Sequence, residues 1–203
     1  MIYVVIILIG YFLGNISSSY LVGKLGRNID VRRHGSGNLG ATNVYRVMGL
    51  KAGAIVFIGD MLKGLFAALI GLLLLRGDGM GALIGGMAAV LGHNWPILLN
   101  FRGGKGVASS FGAILVLFPG VALIVFAIWG ILIALTGYVS LASVIAASLV
   151  PILAIVFGYK MKYVIGAIIF AALIIFRHRD NISRLLKGKE SKISRRGSSR
   201  RLK

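Results

Sequence analysis

The chain has 203 residues, 58% of them hydrophobic, and a mean hydropathy of +0.91; this excludes a water-soluble globular domain and points to an integral membrane protein. It carries 23 Lys and Arg against five Asp and Glu, a formal net charge of +18, and no Cys. Disulfides, thiolate nucleophiles and Cys-ligated metals are thereby excluded, and nucleic-acid binding is a poor use of the charge because the basic C-terminal stretch has no aromatic residue to stack on a base.

In chain order, the first apolar run, Ile2 to Leu13, lacks a basic leading segment and a small-residue cleavage site, and is read as the first span. Six basic residues then fall between Lys24 and Lys51, and among them lies Gly35-Ser36-Gly37-Asn38-Leu39-Gly40-Ala41-Thr42-Asn43. This fits G-x-G-x-x-G, with Asp60 20 residues further on. A dinucleotide site would need a buried strand before it, whereas here the motif follows a membrane helix and a basic loop. The more general reading is an anion-binding nest of backbone N–H groups opening a helix over Leu39 to Val47, with Arg46 supplying a full charge.

Residues 52–75 and 80–100 form two spans joined by Arg76-Gly77-Asp78-Gly79. Asp60 and Lys63, three apart in the middle of the first, share a helix face, where a buried pair is tolerable and either charge alone is costly. After Gly92-His93-Asn94-Trp95-Pro96 comes Phe101-Arg102-Gly103-Gly104-Lys105-Gly106. A Walker loop is excluded because Gly106 stands where Ser or Thr should hold magnesium; a Gly-rich turn before a helix at Val107, with Lys105 as cation, remains.

The run 107–136 has Pro119-Gly120 in its middle and is split into two short or re-entrant helices; 139–158 and 163–176 follow. The third polar cluster is Arg177-His178-Arg179-Asp180-Asn181, and the stretch from Arg177 to Lys203 holds 11 of the 23 basic residues. The positive-inside rule puts all three clusters on the cytoplasmic side. The expected fold is an all-α integral membrane protein of about seven transmembrane helices, some short or re-entrant, with the N-terminus outside and the C-terminus cytoplasmic. It is organised as one membrane-embedded domain, 1–190, and a basic tail, 191–203, drawn to anionic lipid.

Polar clusters of this composition fit chemistry on a phosphorylated molecule at the membrane surface. No Ser sits in G-x-S-x-G, and none of His34, His93 or His178 is followed by Asp after four intervening residues, so the common serine and His-Asp acyl-transfer arrangements are absent. Carboxylates are too few for metal hydrolysis, and no metal or cofactor is expected. A transfer to a hydroxyl must then rely on a donor whose own phosphate oxygens can take the proton. The alternative reading is a membrane carrier of a small organophosphate.

The stretches GSGNLGATNVYRVMG (35–49), GHNWPILLNFRGGKGVAS (92–109), Ser140-Leu141-Ala142-Ser143 and HRDNISRLLKGKE (178–190) resemble, in order and spacing, the bacterial acyl-phosphate:glycerol-3-phosphate acyltransferase family, PlsY. Asp60-x-x-Lys63-Gly64 is similar as well, and the resemblance covers about residues 1–190. It implies transfer of a fatty acyl group from acyl phosphate to the 1-hydroxyl of sn-glycerol 3-phosphate, giving lysophosphatidic acid and inorganic phosphate, in the bacterial plasma (inner) membrane. Position by position it implies catalytic parts for Ser36, Arg46, Lys105, His178 and Asn181, and substrate or phosphate binding by Asn38, Thr42, Asn43, Gly103, Gly104 and Ser143. The implied partners are glycerol 3-phosphate, acyl phosphate, the bilayer and the soluble enzyme that makes acyl phosphate. The proton acceptor is expected to be the donor phosphate, with His178 as the rival base.

Overall fold

The computed structural model describes residues 1–193; the rest of the expected tail, 194–203, lies outside the described residues. All regular elements among them are helical: α1 (Ile2–Asn15), α2 (Ser18–Arg27), α3 (Ala41–Met48), α4 (Leu50–Leu74), α5 (Gly79–Asn94), α6 (Val107–Leu117), α7 (Pro119–Thr136), α8 (Val139–Val156), α9 (Met161–Arg177) and α10 (Arg179–Leu186), with two short 3-10 turns. Five stretches are long and apolar enough to cross a membrane: Ile2–Arg27, Leu50–Leu74, Gly79–Leu99, Pro119–Thr136 and Val139–Val156. A sixth results if α9 and α10, bent by 61° at His178, count as one. The expected count of about seven differs through α6, which has 11 residues and is too short to span roughly 30 Å at 1.5 Å per residue.

The break between α6 and α7 falls at Phe118, with Pro119 in the first turn of α7, where its missing N–H costs nothing. Phe118 is fully buried, so the corner is anchored as well as broken. Ser17 caps α2 by accepting from the Tyr20 amide, which lets the chain leave the first apolar run and turn into a short amphipathic helix.

Helices α1, α4, α5 and α6 pack together, and α8 joins α7 to α9. Because lipid is as apolar as Leu, helices in a membrane associate through close packing of small residues. Gly71 of α4 and Gly81 of α5 face each other so closely that a Cβ on either would run into the other's carbonyl oxygen, and Gly64 meets the Ser109 backbone of α6 in the same way. Large apolar side chains such as Leu73, Leu123, Leu135, Ile155 and Val156 point outward, as a lipid-facing surface requires. The polar side chains turn inward instead, and at one end of the bundle they line a common cavity.

Candidate active site

The cavity encloses about 980 Å³ and draws its walls from all three polar clusters. Ser36, Asn38, Thr42, Asn43, Arg46, Gly103, Lys105, Ser143, His178 and Asn181 all line it. Residues separated by well over a hundred positions are thus brought together, as the three clusters led us to expect. Gly104, also expected there, is the exception and packs behind the wall.

The first cluster is folded by its own asparagine. The Asn43 amide donates to the Val31 and His34 carbonyls at 3.2 and 3.1 Å, while its Oδ1 accepts from the Ser36 amide at 2.8 Å. With both N–H groups committed, Asn43 cannot donate to a phosphate; it shapes the loop that presents Ser36. Gly35 fits beside it only because it lacks a Cβ, which would collide with Asn43 Oδ1, and its φ of 59° is in the left-handed region. Asp30 starts this loop by accepting from the Arg32 amide and guanidinium, and those hydrogen bonds hold its carboxyl down at about 2 despite burial.

The second cluster is held from behind. The Gly104 amide donates to the His93 carbonyl at 3.1 Å, so it is not free to join an anion nest, contrary to the expectation for this loop. Arg177 clamps the same turn, with Nη2 donating to the Gly104 and Gly103 carbonyls at 2.7 and 3.3 Å and its guanidinium 5.2 Å above the Trp95 ring. Sequence reasoning placed Arg177 in a cluster but gave it no task, because its partners lie 73 residues away and no local signal points to them.

Glu190 is the hub of the third cluster. One oxygen accepts from Ser140 at 2.8 Å and Asn181 at 2.6 Å, and the other accepts from Arg184 at 2.7 Å. Asn181 in turn accepts from Lys105 through Oδ1, so a carboxylate, an amide and an ammonium form one chain reaching into the cavity. Burial raises the Glu190 pKa, but the three donors outweigh it and the net shift is downward. Lys105 is pushed down to about 8, chiefly by burial, with Glu190 opposing and Arg184, Arg177 and Arg46 adding repulsion. Arg46 donates to the Ser191 carbonyl at 3.0 Å, Ile193 donates to the Gly137 carbonyl at 2.8 Å, and Lys192 lies over Tyr138. The strap 187–193 is therefore drawn across one side of the cavity.

His178, at the kink between α9 and α10, is buried, with Nδ1 2.8 Å from the Ile174 carbonyl. A carbonyl can only accept, so Nδ1 carries the proton and Nε2 of the neutral ring presents a lone pair. Ser143 donates to the Val139 carbonyl of its own helix at 2.8 Å and accepts from the Trp129 indole at 3.1 Å. Its hydroxyl proton is thus not available to a phosphate, and its place is the rim of a second, apolar cleft. Phe57, Phe111, Phe126 and Trp129 stack along that cleft at centroid separations of 4.9–6.4 Å. Phe57, Val107, Trp129 and Ser143 line both spaces, so the polar cavity opens directly into an apolar one. Among the described residues no three metal-ligating side chains converge.

Residues 4–188 match the family model described as glycerol-3-phosphate acyltransferase. The glycerol-3-phosphate acyltransferase of Alkaliphilus metalliredigens (strain QYMF) is 43% identical over 198 residues, covering 98% of this chain and 100% of that one. That of Thermoanaerobacter sp. (strain X514) is 48% identical over 92% of this chain and 93% of its own. The crystal structure of PlsY, an integral membrane glycerol 3-phosphate acyltransferase, in its glycerol 3-phosphate form superposes with a TM-score of 0.88 at 40% identity, covering 95% of this chain and 96% of that one. Its lysophosphatidic acid form gives 0.86 at 39% identity, with 95% of each chain covered. Matched along nearly its whole described length in sequence and in fold, this chain belongs to the glycerol-3-phosphate acyltransferase family of integral membrane proteins.

Proposed function

We propose that the chain moves a fatty acyl group from acyl phosphate to the 1-hydroxyl of sn-glycerol 3-phosphate, releasing lysophosphatidic acid and inorganic phosphate. The observation that carries this reading is the junction of the two spaces: a cation-lined cavity for phosphates shares Phe57, Val107, Trp129 and Ser143 with an apolar cleft suited to an acyl chain. The carrier reading draws no support from membership in an acyltransferase family.

The hydroxyl oxygen attacks the acyl carbonyl, the bond from acyl carbon to phosphate oxygen breaks, and the hydroxyl proton goes to the departing phosphate. Lys105 and Arg46 neutralise charge on the phosphates, with Ser36, Asn38 and Thr42 supplying short polar contacts from the first loop. Asn181, held between Lys105 and Glu190, fixes the lysine, and the Nε2 lone pair of His178 orients the acceptor hydroxyl. A phosphate that accepts the proton itself removes the need for a strong protein base, in keeping with a cavity at which the carboxylates Asp30, Asp60 and Glu190 are each paired with a cation.

The basic clusters fit a site on the cytoplasmic face of the bacterial plasma membrane, with residues 1–190 as the enzyme domain and the basic stretch after it near anionic lipid and the soluble source of acyl phosphate. The test is product formation by purified protein given labelled glycerol 3-phosphate and either an acyl phosphate or an acyl thioester. Labelled lysophosphatidic acid from acyl phosphate alone is expected; thioester use without acyl phosphate use would overturn the donor. Because the chain has no Cys, a single Cys at Lys51 or Arg184 labelled from the two sides of oriented vesicles reads the sidedness.

A further inference from the structure

Beneath the cavity lies a buried polar cluster that the reading above leaves unused: Asp60 and Lys63 of α4 and His93 of α5, each no more than 7% exposed. Lys63 Nζ stands 2.9 Å from Asp60 Oδ1, 3.0 Å from the Ile16 carbonyl and 2.7 Å from His93 Nδ1. An ammonium has protons and no lone pair; here it donates to the Ile16 carbonyl, pairs ionically with Asp60 and leaves His93 Nδ1 as the remaining partner. His93 Nδ1 must therefore accept, which makes the ring neutral with its one proton on Nε2. The ring abuts Gly104 so closely that a Cβ there would strike Nε2, and His93 lines the cavity with no partner for Nε2 among the described residues. On a ring that lines the cavity, an N–H that no described residue accepts is free to donate to an oxygen of a ligand there.

The surroundings select which ligand oxygen. Asp60 and Lys63 cancel each other, so the cluster offers a phosphate no net positive charge, unlike Lys105 and Arg46. Phe57, which lines the apolar cleft as well as the cavity, sits three residues before Asp60 on the same face of α4. His93 packs against Gly104, the neighbour of Lys105, and through Lys63 joins Asp60, three residues from Phe57, so an acyl phosphate with its phosphate at Lys105 and its chain past Phe57 would bring its carbonyl to this part of the wall. A neutral, tautomer-locked imidazole is a known device for polarising a carbonyl that becomes an oxyanion.

We propose that His93 Nε2–H donates to the acyl carbonyl oxygen during transfer, and that Lys63 and Asp60 are positioning residues that lock the donating tautomer; the proposal rests on the acyl transfer read above. Substituting His93→Phe is expected to lower kcat about 100-fold, with KM for glycerol 3-phosphate within about threefold of wild type. His93→Gln, which keeps an N–H donor, should recover about tenfold of that loss. If His93→Phe is folded by thermal unfolding and retains kcat within threefold, the proposal is overturned while the reaction stands. If the wild type makes no product from acyl phosphate, the donor assignment has failed instead.

Wild-type protein labelled with 15N-histidine gives an answer that does not depend on variants folding. His93 should show a bare Nδ1 and a protonated Nε2, and the Nε2–H resonance should move on saturation with a non-transferable acyl phosphonate but not with inorganic phosphate. A proton on Nδ1, or an Nε2–H unmoved when the phosphonate is bound, would sink the proposal.

Discussion

Replacing Lys105 by Met should make the protein more stable and nearly inactive at once. In the folded chain burial holds this ammonium down at about 8, against 10.5 in its free state. At about 1.4 kcal/mol per pKa unit, keeping Lys105 charged at neutral pH costs the fold about 3 kcal/mol, offset by its hydrogen bond to Asn181 at about 1 kcal/mol. Lys105→Met removes both, for a net gain of about 2 kcal/mol at pH 7. Because the folded pKa is depressed, the charging cost is fully present below 8 and disappears as pH rises from 8 toward 10.5; the advantage of the variant should fade over that window. Under the role proposed for Lys105, turnover should meanwhile fall by about 100-fold or more, the usual cost of losing one group that stabilises charge in a transition state. In wild type, kcat/KM for glycerol 3-phosphate should decline above pH 8 as the free lysine deprotonates, and Lys105→Arg should lack that limb because guanidinium stays charged. The assays are thermal unfolding in detergent and initial rates between pH 6 and 10. A Lys105→Met protein less stable than wild type at pH 7, or a flat wild-type profile to pH 10 with turnover retained within a few-fold in the variant, would refute the reasoning.

Other expectations are equally direct. Glu190→Gln leaves Arg184 without its ionic partner and loosens Asn181 and Ser140, so rates should drop at least tenfold and melting should shift downward. The Glu190 pKa is lowered in the fold, so its contribution is present above the ordinary carboxylate range and lost as pH falls through the depressed value; the variant should show a smaller loss of melting temperature in acid than wild type. Gly71→Val drives a side chain into the Gly81 carbonyl, and a destabilisation of about 1–3 kcal/mol with a reduced folded yield is expected in unfolding and gel-filtration measurements. Trp129→Ala removes the ring tied to Ser143 at the cleft rim; rates across a series of acyl-chain lengths should show weaker discrimination, with KM for glycerol 3-phosphate little changed.

The apolar runs, the break at Pro119 and the meeting of the three clusters could be read from residue order, because hydropathy and proline act locally and charge selects a side of the membrane. Asp60 and Lys63 were paired by their spacing alone. His93 joins them across 30 residues, Arg177 reaches the Gly103-Gly104 turn across 73, and Ser140 finds Glu190 across 50; such partners are set by helix packing, which no local pattern encodes. Asn43 misled for a different reason. An asparagine within a glycine-rich loop offers the same donors to a phosphate and to backbone carbonyls, and here Val31 and His34 claim them.

The strap at 187–193 also places an order on manufacture. The membrane-spanning helices can be inserted into the bilayer while translation continues, yet Asn181 and Ser140, and Lys105 through Asn181, acquire their common anchor only when Glu190 arrives, and Arg46 its tether only with Ser191. An inserted nascent chain therefore carries its polar loops without their closing anchor until its last residues emerge. A chain stopped after Gly188 should enter membranes normally and remain inert, so a ribosome stalled late in this message leaves a silent protein in place of a half-assembled and error-prone enzyme.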